Sequence, residues 1–140
     1  PVNGASATNT ITIKSATGNK ADVTWQFNTA TSIANNYIVK LNGADYFTFR
    51  DMTFSSNNIL FSSLFQITNV ANKNSIINNN LNGNSAQITS LNQALIQFIN
   101  VAGSFSDDSI EISKNVNGTS CRLAKSLRHP VFPGGHPSKY

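Results

Sequence analysis

The acidic side chains are the residues of this sequence that could carry out acid–base chemistry, and there are six of them. Glycoside hydrolysis needs two carboxyl groups placed on either side of one bond. Asp45 and Asp51 lie near each other in sequence, but a short alternating run separates them and puts them at different corners. Asp107 and Asp108 are adjacent, so their side chains point apart. No catalytic pair is therefore predicted, and Asp45, Asp51 and Arg50 are the only candidates for a catalytic role.

Motifs for nucleophilic, metal and nucleotide chemistry are missing from the sequence. No Gly-x-Ser-x-Gly elbow, Gly-rich phosphate loop or dinucleotide fingerprint occurs. Cys121, His129 and His136 are residue types that zinc prefers, but their spacing matches no zinc motif. No three acidic residues cluster as a calcium site requires. The sequence predicts no metal site and no cofactor, and its single cysteine excludes an intrachain disulfide.

Amide side chains recur at matched positions of two similar segments. Residues 64–70 read LFQITNV and residues 95–101 read LIQFINV, so a glutamine and an asparagine align in both. Alternate residues of a strand point to opposite faces, which puts the glutamines on the outer, solvent face. Long polar loops at 55–63 and 85–93 project from one edge, where binding surfaces are commonly built. The predicted binding residues are Gln66, Gln97, Asn69, Asn100, Asp107 and Asp108.

The elements that must position these side chains are short strands. Residues 37–58 contain three alternating runs, at Val39/Leu41, at Phe47/Phe49 and at Met52/Phe54, joined by links too tight for hairpins. Such runs fit one turn of a coil in which each strand pairs with its equivalent in the next turn. Residues 49–54 match residues 76–81 after a shift of 27, and a period of 27 to 31 predicts a β-solenoid.

The alignment of the repeats also predicts which apolar side chains stack in the interior. Trp25 lies on an alternating face with Val23 and Phe27 and is interpreted as a core filler near one end of the stack. A sugar-stacking role for an exposed Trp25 is the alternative. Four interior columns are predicted: Val39, Phe65 and Ile96; Leu41, Ile67 and Phe98; Phe49 and Ile76; Phe54 and Leu81.

Asparagine dominates the composition, with 21 residues in 140, whereas charged residues make up only 11%. Asparagine tolerates the left-handed backbone of tight corners, and stacked amides form hydrogen-bonded ladders. The sequence accordingly predicts that Asp51 stacks on Asn78 in a corner ladder and that Asp45 stacks near Asn72. Low charge with abundant Asn, Ser and Thr is typical of extracellular β-rich proteins. A disordered polar tract is the alternative, but the aligned apolar positions oppose it.

The net charge of +4 comes entirely from the last twenty residues. Residues 1–120 hold six basic and six acidic side chains, so they form no basic stripe, and nucleic-acid binding is excluded. No apolar run is long enough to span a bilayer, and membrane insertion is not predicted. Residues 121–140 lack Asn and acidic residues but hold both histidines and three of the four prolines. We interpret them as a flexible basic tail, either an added or out-of-frame extension or, alternatively, a native linker.

Three segments resemble a known family: residues 15–27 (SATGNKADVTWQF), residues 36–56 (NYIVKLNGADYFTFRDMTFSS) and residues 74–84 (NSIINNNLNGN). They are similar to the right-handed parallel β-helix repeats of large secreted bacterial cell-surface proteins in the pectate-lyase-like superfamily. The resemblance covers residues 8–120 and implies an all-β, right-handed parallel β-helix of about four coils, in a domain spanning residues 1–120. It also implies a secreted or bacterial cell-surface location. β-Helix lyases of this superfamily use calcium and an arginine base, a role that would fall to Arg50.

The expected function is that of a non-catalytic scaffold or adhesive module that contacts polysaccharide. The alternative is a fragment of a polysaccharide lyase or glycoside hydrolase whose site lies partly in missing coils. The chain begins without methionine and is interpreted as a processed product or a fragment. Open coil ends template further strand pairing, so a homo-oligomer formed by end-to-end or edge stacking is predicted, with Cys121 near one interface.

Overall fold

A computed structural model describes residues 2–84, 91–99, 110–117 and 123–126. These residues form strands and two short 3₁₀ turns, Ile33–Asn35 and Leu91–Gln93, and no α-helix occurs among them. The strands, in chain order, are β1 Ile11–Lys14, β2 Thr24–Gln26, β3 Val39–Asn42, β4 Phe47–Arg50, β5 Thr53–Ser55, β6 Phe65–Thr68, β7 Ser75–Ile77, β8 Asn80–Asn82, β9 Ile96–Ile99, β10 Glu111–Ser113, β11 Val116–Asn117 and β12 Leu123–Ser126.

The strands form three parallel sheets of four strands each, because each of the first nine strands pairs with the strand three places later in the chain. The first sheet has the order β1-β4-β7-β10, the second β2-β5-β8-β11 and the third β3-β6-β9-β12. The chain thus visits the three sheets in turn, and we call each group of three consecutive strands a rung. The described chain is all-β with stacked parallel sheets, an arrangement consistent with the predicted β-solenoid.

The strand register confirms the predicted interior columns. Val39, Phe65 and Ile96 are direct partners across the third sheet, as are Leu41, Ile67 and Phe98. In the other two sheets Phe49 pairs with Ile76 and Phe54 with Leu81. These side chains are all buried except Phe98, which is partly buried. The alternation and the repeat alignment were sufficient to fix this register, because a slip of one residue would turn the apolar set outward.

Aromatic rings fill the first half of the core. The rings of Phe54 and Phe65 pack edge to face with centroids 4.7 Å apart, and Phe49 lies 5.5 Å from Phe65. Trp25 pairs with Phe54 across the second sheet and makes edge contacts with Phe54 at 5.8 Å and with Phe49 at 6.4 Å. Trp25 therefore packs on the core as predicted, but it remains 37% exposed because no strand lies beyond β2 among the described residues.

The corners between the first and second sheets repeat one backbone conformation. Asp51, Asn78 and Lys114 have φ values of 57°, 56° and 55°, so each turns the chain through the left-handed region. At two of these corners the next residue is an asparagine, Asn79 or Asn115, and its side chain hydrogen-bonds to the neighbouring rung. The side-chain oxygen of Asn79 accepts the N–H of Met52 at 3.1 Å, and that of Asn115 accepts the N–H of Asn79 at 2.8 Å. The predicted asparagine ladder is present at this corner.

β12 lies in the segment that composition assigned to a flexible tail. Leu123–Ser126 pairs in parallel with β9 and extends the third sheet by one strand. The expectation that nothing after residue 120 continues the repeat is wrong for these four residues, because strand pairing requires backbone groups and not asparagine. The domain boundary at residue 120 stays a prediction. Among the described residues, no helix has the length and apolar character to cross a membrane.

Candidate functional site

The corner at Asp51 brings together the two nearest candidates for catalysis. Arg50 ends β4 with its side chain half exposed, and its Nε donates to Asp51 Oδ2 at 2.8 Å. The other carboxylate oxygen accepts a hydrogen bond from Asn78 Nδ2 at 2.6 Å, one rung away. Asp51 itself is buried. Both oxygens are occupied by donors of the protein, so the predicted stacking of Asp51 on Asn78 is confirmed.

The charge state of Asp51 follows from these partners. The Asn78 amide contributes most to lowering the pKa of this carboxyl below its ordinary value, and the hydrogen bond from Arg50 lowers it further. The positive charge of Lys14, which is paired with Arg50 on the next strand, acts in the same direction. A carboxylate that is ionised at every physiological pH and already bonded to two donors is poorly suited to act as a general acid or base.

Asp45 is placed at a different corner, between β3 and β4. Its Oδ1 accepts the backbone N–H of Asn72 at 2.6 Å, which confirms the predicted stacking on the next rung. Within the described ranges, no group of three His, Cys, Asp or Glu side chains could hold a metal ion. The described residues therefore bring Arg50 and Asp51 together but do not combine them with Asp45.

Gln66 and Gln97 lie on the outer side of the third sheet, but the expectation of solvent exposure is wrong for both. Gln66 is 2% exposed and Gln97 6% exposed. The Gln66 amide donates to the carbonyl oxygens of Ile33 at 3.4 Å and Asn36 at 3.3 Å and to Gln97 Oε1 at 3.4 Å. The loop before β3 covers this part of the sheet, a contact that strand alternation cannot reveal. Ligand binding by these two residues stays a prediction.

Asn69 lies on the exposed corner between the third and first sheets. Its amide donates to Asn42 Oδ1 one rung away. At the same corner Lys73 Nζ donates to the Tyr46 hydroxyl at 3.1 Å and lies 5.2 Å from the centre of the Tyr46 ring. We call the five side chains of this corner, Asn42, Asp45, Tyr46, Asn69 and Lys73, the corner patch. It contains two amides, a carboxylate, an ammonium and an aromatic ring, each in contact with the neighbouring rung.

Sequence reasoning missed Tyr46 and Lys73. Both have positive φ, 64° and 56°, which for these residue types is not expected from sequence. The signal was nevertheless available: the shift of 27 that aligns Asp45 with Asn72 also aligns Tyr46 with Lys73. Two long side chains stacked on neighbouring rungs at an exposed corner must come into contact.

The remaining candidates lie outside the described residues. They are Asn100, Asp107 and Asp108 among the predicted binding residues, and Cys121, His129 and His136 among the rejected metal ligands. Asn100 aligns with Asn69 by sequence.

Comparisons of this chain with protein-family models, with curated proteins and with solved structures found no match. Membership of the pectate-lyase-like superfamily therefore stays a prediction that rests on the quoted segments.

Proposed function

We propose that this chain is a non-catalytic scaffold or adhesive module of a secreted or bacterial cell-surface protein, and that it contacts polysaccharide through the corner patch. The proposal includes the finer features of the fold, a right-handed parallel β-helix of about four coils related to the pectate-lyase-like proteins. The observation that carries it is that one corner holds two contacts between neighbouring rungs, the pair of Tyr46 and Lys73 and the pair of amides Asn42 and Asn69.

Sugar recognition by a surface needs two kinds of group. An aromatic ring offers an apolar face for the C–H groups of a pyranose, and amides offer both donors and acceptors for its hydroxyls. Tyr46 supplies the ring, and Asn42 and Asn69 are exposed amides on successive rungs. Asn42 and Tyr46 lie on one rung and Asn69 and Lys73 on the next, and neighbouring parallel strands are about 4.8 Å apart.

A scaffold is favoured over an enzyme by the state of the two best catalytic candidates. The Asp51 carboxylate is bonded to Arg50 and Asn78, and the pKa of Asp51 is lowered, which suits a structural ion pair at a corner. The second carboxylate of the region, Asp45, accepts a backbone N–H of the next rung. Both carboxylates therefore act within the ladder of corners.

The test is a glycan array followed by calorimetric titration of the polysaccharides that bind. Tyr46→Asn removes the ring and keeps a residue that tolerates the positive φ of this position. We expect it to weaken binding about tenfold, because the loss of one stacked aromatic contact removes ~1–1.5 kcal/mol. Tyr37→Asn is the matched control, since Tyr37 packs under Lys40 at 5.4 Å in a pair of the same kind elsewhere.

Three outcomes would contradict the proposal. If the chain bound no glycan, polysaccharide would not be its ligand. If Tyr46→Asn and Tyr37→Asn weakened binding equally, the corner patch would not be the binding site. Release of unsaturated or reducing sugar ends from a bound polymer would show that the chain is a lyase or a hydrolase and not a non-catalytic scaffold. Assays with and without calcium distinguish these two enzymes.

A further inference from the structure

An Asn-Gly dipeptide ends β3, where Asn42 precedes Gly43. This dipeptide is prone to spontaneous loss of the asparagine side-chain amide, because glycine has no Cβ to shield its own backbone nitrogen. The same dipeptide occurs near the start of the sequence in almost identical surroundings. Residues 2–5 read VNGA and residues 41–44 read LNGA, so the two sites differ locally only in the aliphatic residue that comes first.

The reaction needs only the chain and water. The Gly43 nitrogen loses its proton to base and attacks Cγ of Asn42, which forms a five-membered succinimide ring. The bond from Cγ to Nδ2 breaks, and the nitrogen leaves as ammonia after taking up a proton from water. Water then opens the ring at either carbonyl. The product is aspartate, or isoaspartate if the backbone now runs through the former side chain.

Both reacting groups of Asn42 and Gly43 are held by the next rung. The N–H of Gly43 donates to the carbonyl oxygen of Thr68 at 3.0 Å. The side-chain oxygen of Asn42 accepts a hydrogen bond from the Asn69 amide. Ring closure removes the proton that bonds to Thr68 and draws the Asn42 carbonyl carbon onto the Gly43 nitrogen. It therefore breaks the first contact and displaces the second.

The corner itself accounts for the glycine. Gly43 has a φ of 61°, a conformation that strains most other residues. A Cβ added there would also lie 3.3 Å from the carbonyl oxygen of Asn69, a close approach. The contact with the next rung thus favours the residue that makes Asn42 reactive. Asn42 is exposed, so water can reach it for the hydrolytic step.

The matching site at Asn3 and Gly4 has a different environment. Both residues are exposed, and Gly4 has a φ of 90°. No described atom lies within 4 Å of the position that a Cβ on Gly4 would occupy. The local turn is closed by Ala5, whose N–H donates to the Val2 carbonyl at 3.2 Å. Two nearly identical sequences therefore lie in an open turn and in a contact between rungs.

We propose that Asn42 and Gly43 form a latent modification site, at which conversion to aspartate or isoaspartate is prevented by Thr68 and Asn69 and takes place when this corner opens. A reaction that requires the open form proceeds in proportion to the fraction of molecules that are open. Ammonia is lost, so the change persists after the corner closes. The converted side chain adds a carboxylate to the corner patch, which already contains Asp45. This inference does not depend on polysaccharide binding.

The first experiment compares the two sites in one molecule. The full chain is incubated in mildly alkaline buffer, digested at intervals, and analysed by mass spectrometry for conversion at Asn3 and Asn42. In the folded protein we expect Asn42 to convert at least about tenfold more slowly than Asn3, because opening breaks hydrogen bonds that hold the corner closed. In urea that unfolds the chain, the two sites should convert at similar rates.

Asn69→Gly tests the role of the neighbouring amide. Glycine accepts the φ of 54° at this position and removes only the side chain. Conversion at Asn42 should rise about fivefold, as the loss of one hydrogen bond predicts, while conversion at Asn3 stays the same. Asn78→Gly is the matched control. Asn78 has a φ of 56° and donates to Asp51 at a different corner, so conversion at Asn42 should not change.

The proposal fails if Asn42 converts as fast as Asn3 in the folded protein, or if Asn42 does not convert in the unfolded chain. It also fails if Asn69→Gly leaves conversion at Asn42 unchanged, or if Asn78→Gly raises it equally. If Asn69→Gly does not fold, the wild type in urea below its unfolding transition replaces it. Conversion at Asn42 should then rise with urea while conversion at Asn3 stays constant, and a parallel response would overturn the proposal.

Discussion

Gln66 and Ile67 are neighbours on β6 whose side chains lie on opposite faces of the third sheet, yet both are buried. Ile67 is buried by the aromatic core, whereas Gln66 is buried by the loop that crosses outside β6. A polar residue on the outer face of a strand is therefore not necessarily a surface residue. The Gln66 amide hydrogen-bonds to the covering loop and so supports the segment around Ile33 and Asn36.

Ile67→Asp should destabilise the protein by at least about 3 kcal/mol, since it buries an unpaired charge in the core. Lys40→Asp, on the exposed face of the same sheet, should cost less than about 1 kcal/mol. Urea unfolding of both variants measures the two values. Similar losses would contradict the register that places Ile67 inside. Gln66 is not a suitable control, because its amide is 2% exposed and hydrogen-bonded.

Asp51 predicts a specific dependence of stability on pH. Its pKa is lowered in the folded state, so the carboxylate stabilises the fold above its unfolded pKa of about 4, and this contribution disappears as pH falls through the lower folded pKa. Asp51→Asn keeps a residue suited to φ 57° but removes the charge. Thermal melts between pH 2 and pH 7 should show a smaller acid-induced loss for Asp51→Asn. If the melting temperature of Asp51→Asn changed with pH in parallel with that of the wild type, other carboxylates would be responsible for the acid-induced loss of stability.

At the level of elements, the corners are more informative than the strands. The first-to-second corner reuses a left-handed residue, and at two of its three copies an asparagine follows. One of them, Asn79, both accepts the N–H of Met52 and donates to the carbonyl of Phe49 at 2.9 Å. The third-to-first corner is less regular. Asn69 and Val70 both have positive φ there, and a β-branched residue in this region is strained.

Val70→Asn should relieve that strain and stabilise the protein by about 1 kcal/mol. The reverse change at the neighbouring position, Asn69→Val, should destabilise it by a similar amount or more, because Asn69 also donates to Asn42. Chemical denaturation of the two variants gives the comparison. If Val70→Asn proves destabilising, the packing of the Val70 side chain stabilises the fold by more than the backbone strain at its positive φ destabilises it.

The parts of the fold that could be predicted are those that residue type reveals directly. Val39, Phe65 and Ile96 align because their segments alternate and repeat, and Asp51 could be placed on Asn78 by the shift of 27. The left-handed backbone conformation of Tyr46 and Lys73 could not be predicted from the sequence, because neither residue type favours a positive φ. The burial of Gln66 depends on how the loop before β3 packs, and the sequence of this loop shows no periodic pattern from which that packing could be predicted.

At the level of the whole molecule, the third sheet shows where composition misleads. Residues 121–140 differ in composition from the rest of the chain, but β12 pairs with all four residues of β9. Parallel pairing is made by the backbone, so a change in composition alone does not end the stack. The third sheet therefore includes part of the segment that was expected to be dispensable.

Two truncations separate the contribution of β12 from that of the residues after it. A chain that ends at residue 126 keeps β12, whereas a chain that ends at residue 122 lacks it and leaves β9 as an edge strand. We expect the shorter chain to melt several degrees lower than the longer one, since it loses the strand pairing of β12 with all four residues of β9. Equal melting temperatures, measured by calorimetry, would show that β12 contributes nothing to stability.

The pairing of each strand with the next rung also determines how the molecule responds to tension. Contacts between neighbouring rungs join residues 27 apart at Asp51 and Asn78 and 36 apart at Asn79 and Asn115. A pull on the two ends of the chain loads these contacts in series, so rungs should detach one by one. Each step releases roughly 90–130 Å of extended chain. A stack of rungs built in this way would lengthen in steps under tension, and each step would limit the peak force that the chain transmits.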